Sequence, residues 1–230
     1  MITRRDGNGR LECIRQHDHA WISGALSEAW SFGGAVPDEV RHAVAYHDVA
    51  WIGLDRAASL DGDGLPHTFL NHPLEVKYAA FRAGIDLIET GSAYAGYLCS
   101  VHHQRLAGYL DDERSAAFVA AEQARQDHLW SQLDAAQRAR AAGDASLLRL
   151  LDALSLFACC NTPGRVTWGF HREGFTHGET TFQARWRDRT HVQLDPFPLA
   201  WEVTCRYPAF SWDADGTLDD PVQHEISFVA

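Results

Sequence analysis

The sequence predicts a mainly helical domain closed by a small C-terminal antiparallel β segment, α+β overall, and three observations carry that reading. Apolar residues recur at helical spacing through most of residues 1–162, with Pro, Ser or Asp at the expected helix starts. After Pro163-Gly164 the period switches to two, as in Trp201, Val203, Cys205 and Tyr207 against Glu202, Thr204 and Arg206. The length, 230 residues, suits one domain with a sizeable core. Residues 1–162 therefore read as a helical domain, and 163–230 as a β segment packed on it.

Taken in order, residues 1–16 alternate weakly, as one or two strands would. A first helix runs from about His17 to Phe32, with His19, Ile22 and Leu26 on one stripe, and Gly33-Gly34 ends it. Pro37 suits the first turn of a second helix, where its missing N–H does no harm. On that helix Val40, Val44, His47 and Trp51 share a face, and Asp48 stands one step round. Residues 53–72 read as a long loop, with Asp61-Gly62-Asp63-Gly64 a turn. Pro73 opens a third helix to about Thr90. Ser92 caps a fourth, which carries Leu98, Val101, His102 and Leu106. Asp112 starts a long polar helix to about Ala142, and Asp144 is the expected cap of an apolar helix around Asp152.

Composition narrows the function. A net charge of -11 argues against nonspecific binding to nucleic acid or to an anionic membrane. Five cysteines, odd in number and without a CxxC pair, fit a reduced compartment. Without a signal peptide or an apolar stretch of spanning length, the expected location is the cytoplasm. The partner expected is a small-molecule substrate, and a homodimer is left open.

Chemistry concentrates in an ordered set, His19, His47-Asp48, His102 and Asp152, each on a segment read as helical. Asp152 sits in Leu147-Leu148-Arg149-Leu150-Leu151-Asp152-Ala153-Leu154, a run apolar on almost every side. A bare carboxylate buried there costs several kcal/mol, so it is paired, hydrogen-bonded or metal-bound. Any one of these histidines is equally well a satisfied core residue, and the case rests on the ensemble. Histidine with aspartate suits one or two divalent ions of Fe, Mn or Zn, and the carboxylates favour the harder ones. His103 points about 100° away from His102, as a second ligand or an exposed neighbour, and His102 is preferred because it continues the Leu98 stripe. Asp18 would cap the first helix or hold a ligand histidine in its tautomer. His42 and His128 fall on polar faces, while His171, His177, His191 and His224 lack a ligand-like spacing.

The order His … His-Asp … His … Asp resembles that of HD-domain metal phosphohydrolases. The stretches Gln16-His17-Asp18-His19-Ala20, His47-Asp48-Val49-Ala50-Trp51, Ser100-Val101-His102 and Leu151-Asp152-Ala153-Leu154-Ser155-Leu156 are similar to a bacterial family known only as a domain of unknown function. That likeness reaches Asp195-Pro196-Phe197-Pro198 and so covers nearly the whole chain. The resemblance implies an HD-like helical bundle in which His19, His47, Asp48 and Asp152 form a first metal site. His102 then belongs to a second site or faces the substrate. His72, 24 residues after Asp48, stands where dinuclear members carry a further histidine, although a loop or capping role before Pro73 is the simpler account.

Three functions follow from these expectations. The first is a metal-dependent hydrolase of a small phosphorylated compound. Asp48 or Asp55 would orient the attacking water, and Arg56, Arg105 or Arg15 would meet the phosphate. The second is an HD-type di-iron oxygenase, which needs six ligands and so depends on His72. The third is a non-catalytic ligand-binding or regulatory module that keeps the fold.

Overall fold

A computed structural model describes residues 1–169, 173–212 and 218–230. A hairpin of β1 (Ile2–Arg5) and β2 (Leu11–Ile14) comes first. Seven helices follow: α1 (Gln16–Ala29), α2 (Asp38–Tyr46), α3 (Trp51–Arg56), α4 (Leu74–Gly91), α5 (Ala93–Ala107), α6 (Glu113–Gln132) and α7 (Ala135–Cys160). Five further strands close the chain: β3 (Phe175–His177), β4 (Thr180–Trp186), β5 (His191–Asp195), β6 (Val203–Ser211) and β7 (Val222–Val229).

The sheet corrects the expected fold class. In place of a small C-terminal antiparallel segment, the strands form one seven-stranded, mixed sheet in the order β1-β2-β6-β7-β5-β4-β3, curled into a half-barrel. Strand makes up 21% of the chain against 49% helix, so the sheet is a full layer. Two features hid it. The strands β1 and β2 have four residues each, too few for a period-two signal, and they join the C-terminal strands only through β2–β6 pairing. The one parallel pair among the described residues, β5 with β7, is separated in sequence by β6, so no hairpin signal announces it. The sheet thus takes strands from either side of residue 162.

Helix α7 lies in the curl. Both β1 and β3, the opposite edges of the sheet, pack on α7, while β6 packs on α1. On their other side α1 and α7 meet α2 and α5, and α4 and α6 cover the outer face of α5. The apolar core is continuous across both layers, from Ile22, Leu26 and Val44 through Leu98 and Leu151 to Phe182 and Phe228.

Helix boundaries also shift. The second helix ends at Tyr46, so His47 and Asp48 sit on a tight turn before the short α3. The polar and apolar halves of residues 112–160 meet at Asp134, not Asp144. Asp134 accepts from the Gln137 N–H and Gln137 reaches back, a capping box that starts α7. Good helix formers on both sides concealed that break. Asp144 lies inside α7 and accepts from the Tyr94 hydroxyl and Arg140. The expected caps at Ser92 and Asp112 are present, and Asp61 closes its turn by accepting from the Asp63 and Leu65 N–H groups.

Two glycines set the packing around the His47-Asp48 turn. A Cβ on Gly24 of α1 would stand 2.9 Å from the Ala45 side chain. One on Gly84 of α4 would stand 2.8 Å from the Ala50 Cβ and 3.1 Å from its backbone nitrogen. Alanine at an ordinary helical glycine stabilises by about 0.5–1 kcal/mol. Overpacking a core contact costs about 1–3 kcal/mol, and here backbone must give way. Gly84→Ala is therefore expected to lower the free energy of urea unfolding, and a more stable variant would refute this account of the α4 approach.

Candidate metal centre

The fold brings all five residues of the ordered set together where α1, α2, α5 and α7 converge. Asp48 Oδ2 is 3.0 Å from His19 Nε2 and 3.9 Å from His47 Nε2. Asp152 Oδ1 is 3.4 Å from His47 Nε2 and 3.9 Å from His19 Nδ1, while its Oδ2 lies 3.8 Å from His102 Nε2. Donor atoms of His19, His47 and Asp152 fall within 4.8 Å of one another, close enough to hold one metal ion.

Hydrogen bonding outside the cluster orients the donors. His47 Nδ1–H donates to the Val44 carbonyl at 2.7 Å, so Nε2 turns inward, and that atom has no hydrogen-bond partner. On the far side of the His19 ring, Nδ1 lies 2.8 Å from Ser155 Oγ. Ser155 in turn donates to the Asp152 carbonyl and accepts from Ser23. With those bonds made, His19 Nδ1 carries the proton and Nε2 points at Asp48, the tautomer of a metal ligand. His103 Nε2–H donates to the His47 carbonyl at 2.9 Å, and its ring stacks on Phe81. It is buried, not an exposed neighbour, and it holds the turn that carries the pair.

The electrostatics fit a cation. Asp48 and Asp152 are both buried, and neither forms an ion pair with Lys or Arg among the described residues. Burial favours their neutral forms, but the surrounding histidines outweigh it and hold both carboxyls below the usual range. Burial likewise opposes charge on His47, yet Asp48 and Asp152 hold its pKa up. His102 is the contrary case: burial pushes it down, to about 3, and it stays neutral. A pair of ionised, buried carboxylates facing an unpartnered imidazole nitrogen is a donor set for a divalent ion. Nothing in this geometry selects the element.

Other expected residues lie elsewhere. Asp55 is buried with both oxygens engaged, accepting from the Gln16 N–H at 2.6 Å and pairing with the Met1 ammonium at 2.8 Å. It thereby anchors the start of α1, the capping task expected of Asp18. Asp18 makes no cap, and burial raises its pKa to about 6. Arg56 is exposed and forms no ion pair among the described residues, and Arg15 sits over the Phe210 ring. His72 packs against Trp51 and His67, outside the His19–His47–Asp152 group. His177 meets Ser146, His191 meets Asp188 and His224 meets Glu12, whereas His171 lies outside the described residues. Sequence reasoning passed over Ser23 and Ser155, and it left His103 between a second ligand and an exposed neighbour. Ser155 stands one turn from Asp152 and Ser23 one turn from His19, a spacing that puts each beside a ligand.

A family model described as a protein of unknown function, DUF3891, matches residues 1–211. The chain belongs to that family. The match covers the hairpin, all five residues of the cluster and the strands up to β6, and β7 lies beyond it. No curated protein and no solved structure matches the chain. Among the described residues no helix is long and apolar enough to cross a membrane.

Proposed function

We propose that this chain is a metal-dependent hydrolase of a small phosphorylated compound, built on an HD-type metal site. The observation that carries the reading is His47 Nε2, orphaned in the core and facing Asp152 and Asp48. His19, His47, Asp48 and Asp152 would hold the ion. When bound, it supplies a water of lowered pKa and an electrophile for a phosphoryl oxygen.

The remaining roles belong to the chain. Exposure is graded across the cluster: the side chains of His19 and His47 are 0% and 1% exposed, and that of Asp152 is 11% exposed. Substrate therefore approaches from the Asp152 and His102 side. Neutral His102 on that side accepts a proton from the attacking water and then passes that proton to the leaving oxygen. Asp48 orients the water from below. The di-iron alternative needed His72 among the ligands, and its place against Trp51 and His67 gives that version no support.

The test is metal content by mass spectrometry on protein purified without a histidine tag, followed by turnover of p-nitrophenyl phosphate with Mn, Fe or Zn. Stoichiometric metal and metal-dependent phosphate release are expected. Protein that stays empty after soaking with all three ions would overturn the reading.

A further inference from the structure

Cations are scarce in a chain of net charge -11, and the other arginines packed into the fold are spent on carboxylates. Arg4 pairs with Glu12, Arg125 with Asp86, Glu89 and Glu122, and Arg140 with Glu39 and Asp144. Arg149 is different. It is half-buried on α7, and among the described residues it forms no ion pair and donates only to Ser146 Oγ at 3.2 Å. Burial and then the positive charge of Arg105 lower its pKa, so its near neighbour in charge is another arginine. Arg105 also forms no ion pair among the described residues, and its guanidinium lies over the Tyr109 ring.

Helical geometry places each one turn from a residue of the metal centre. Arg105 follows His102 by three residues on α5, and Arg149 precedes Asp152 by three on α7. Residues three apart share a face, about one turn or ~5 Å along the axis. The two helices pack together, with His102 Nε2 3.8 Å from Asp152 Oδ2. Both arginines therefore rise from the edge of the cluster that carries its greatest exposure. Like charges repel, and among the described residues neither arginine has a carboxylate within ion-pair distance. What the arrangement lacks is an anion.

We propose that Arg105 and Arg149 form a two-guanidinium clamp for the dianionic phosphate of a monoester at the mouth of the metal centre. Each planar fork can bond two phosphate oxygens, and two forks match a doubly charged terminal phosphate. A diester carries one charge and shields two of its oxygens, so it loses half of the clamp. The clamp names the substrate class for the hydrolase reading and rests on that reading. It would select monoesters over diesters.

The experiment is calorimetric binding of inorganic phosphate, with dimethyl phosphate as the monoanionic comparator. It uses the wild type, Arg105→Gln, Arg149→Gln and the double variant, each with its metal content measured. Phosphate is expected to bind the wild type, to bind each single variant about tenfold or more weakly, and to outcompete dimethyl phosphate, with metal content unchanged. Phosphate that binds the double variant as tightly as the wild type, or that fails to bind the wild type, overturns the clamp whatever the turnover. Phosphate binding that depends on the arginines in protein that hydrolyses no ester upholds the clamp and removes the hydrolase reading.

Discussion

Asp48→Asn is expected to abolish stoichiometric metal uptake while leaving the fold in place. Asparagine keeps the shape, and its amide N–H can donate to His19 Nε2, which lies 3.0 Å from Asp48 Oδ2, but it removes one of the two negative charges of the centre. Loss of residues that merely orient a metal ligand costs about 10–100-fold in affinity, and loss of a charged ligand should reach at least the upper figure. Stability gives a second readout. A ligand at 100 times its Kd stabilises the native state by about 2.7 kcal/mol. For a domain of this size that is roughly 5–10 °C in Tm, from about 2–4 °C per kcal/mol. The wild type should show that rise on adding metal and Asp48→Asn should not. Asp55→Asn is the control, because its oxygens serve the start of α1 and the Met1 ammonium, and it should lose stability yet keep its metal. Equal metal content in wild type and Asp48→Asn would remove Asp48 from the ligand set.

The ligand cluster was legible because of a conflict within single segments. A carboxylate inside the Leu147–Leu156 run and histidines on the Leu98 and Ile22 stripes contradict the local pattern, and such contradictions mark sites. What the pattern could not supply was anything decided between segments. Ser155 is an ordinary helical serine until α1 brings His19 against it. His103 differs from His102 only in facing Phe81 and the His47 carbonyl. Asp55 reads as a water-orienting carboxylate because it closely follows His47-Asp48, and only the return of the N-terminal hairpin gives it other partners. The same limit hid the sheet. A four-residue strand has almost no periodicity of its own, and its pairing with β6 spans nearly 200 residues. Arg149 escaped inside the apolar run around Asp152, although it stands as close to that residue as Arg105 does to His102.

Glu12→Ala is expected to be among the most destabilising single changes, and for reasons remote from the metal. Arg4 is only 4% exposed and Glu12 is its sole ion-pair partner among the described residues, at 2.9 Å. Arg4 also donates to the Ala158, Cys159 and Asn161 carbonyls, each at 3.3 Å, and to the Tyr207 hydroxyl at 3.1 Å. Those carbonyls close α7, whose last turn otherwise leaves them orphaned against the sheet. One guanidinium thus fastens the C-terminus of α7 to β1, β2 and β6, and His224 of β7 completes the group through Glu12 at 3.0 Å. Removing the carboxylate leaves a buried charge uncompensated, which costs about 3–5 kcal/mol. That is a large share of the roughly 5–15 kcal/mol by which domains are stable. The acid dependence has a definite sign. Burial opposes ionisation of Glu12, but His224 and Arg4 outweigh it and bring its pKa from 4.5 to about 2. A carboxyl depressed in the folded state contributes fully above its unfolded pKa and loses that contribution as pH falls through the folded value. The wild type should therefore weaken between pH 4.5 and about 2, and a Glu12→Gln variant should show a shallower decline over the same window. Urea unfolding across that range measures both quantities. Parallel acid limbs in the two proteins, or a loss under about 1 kcal/mol in Glu12→Ala, would mean that water reaches Arg4 and that α7 is held by its apolar face alone.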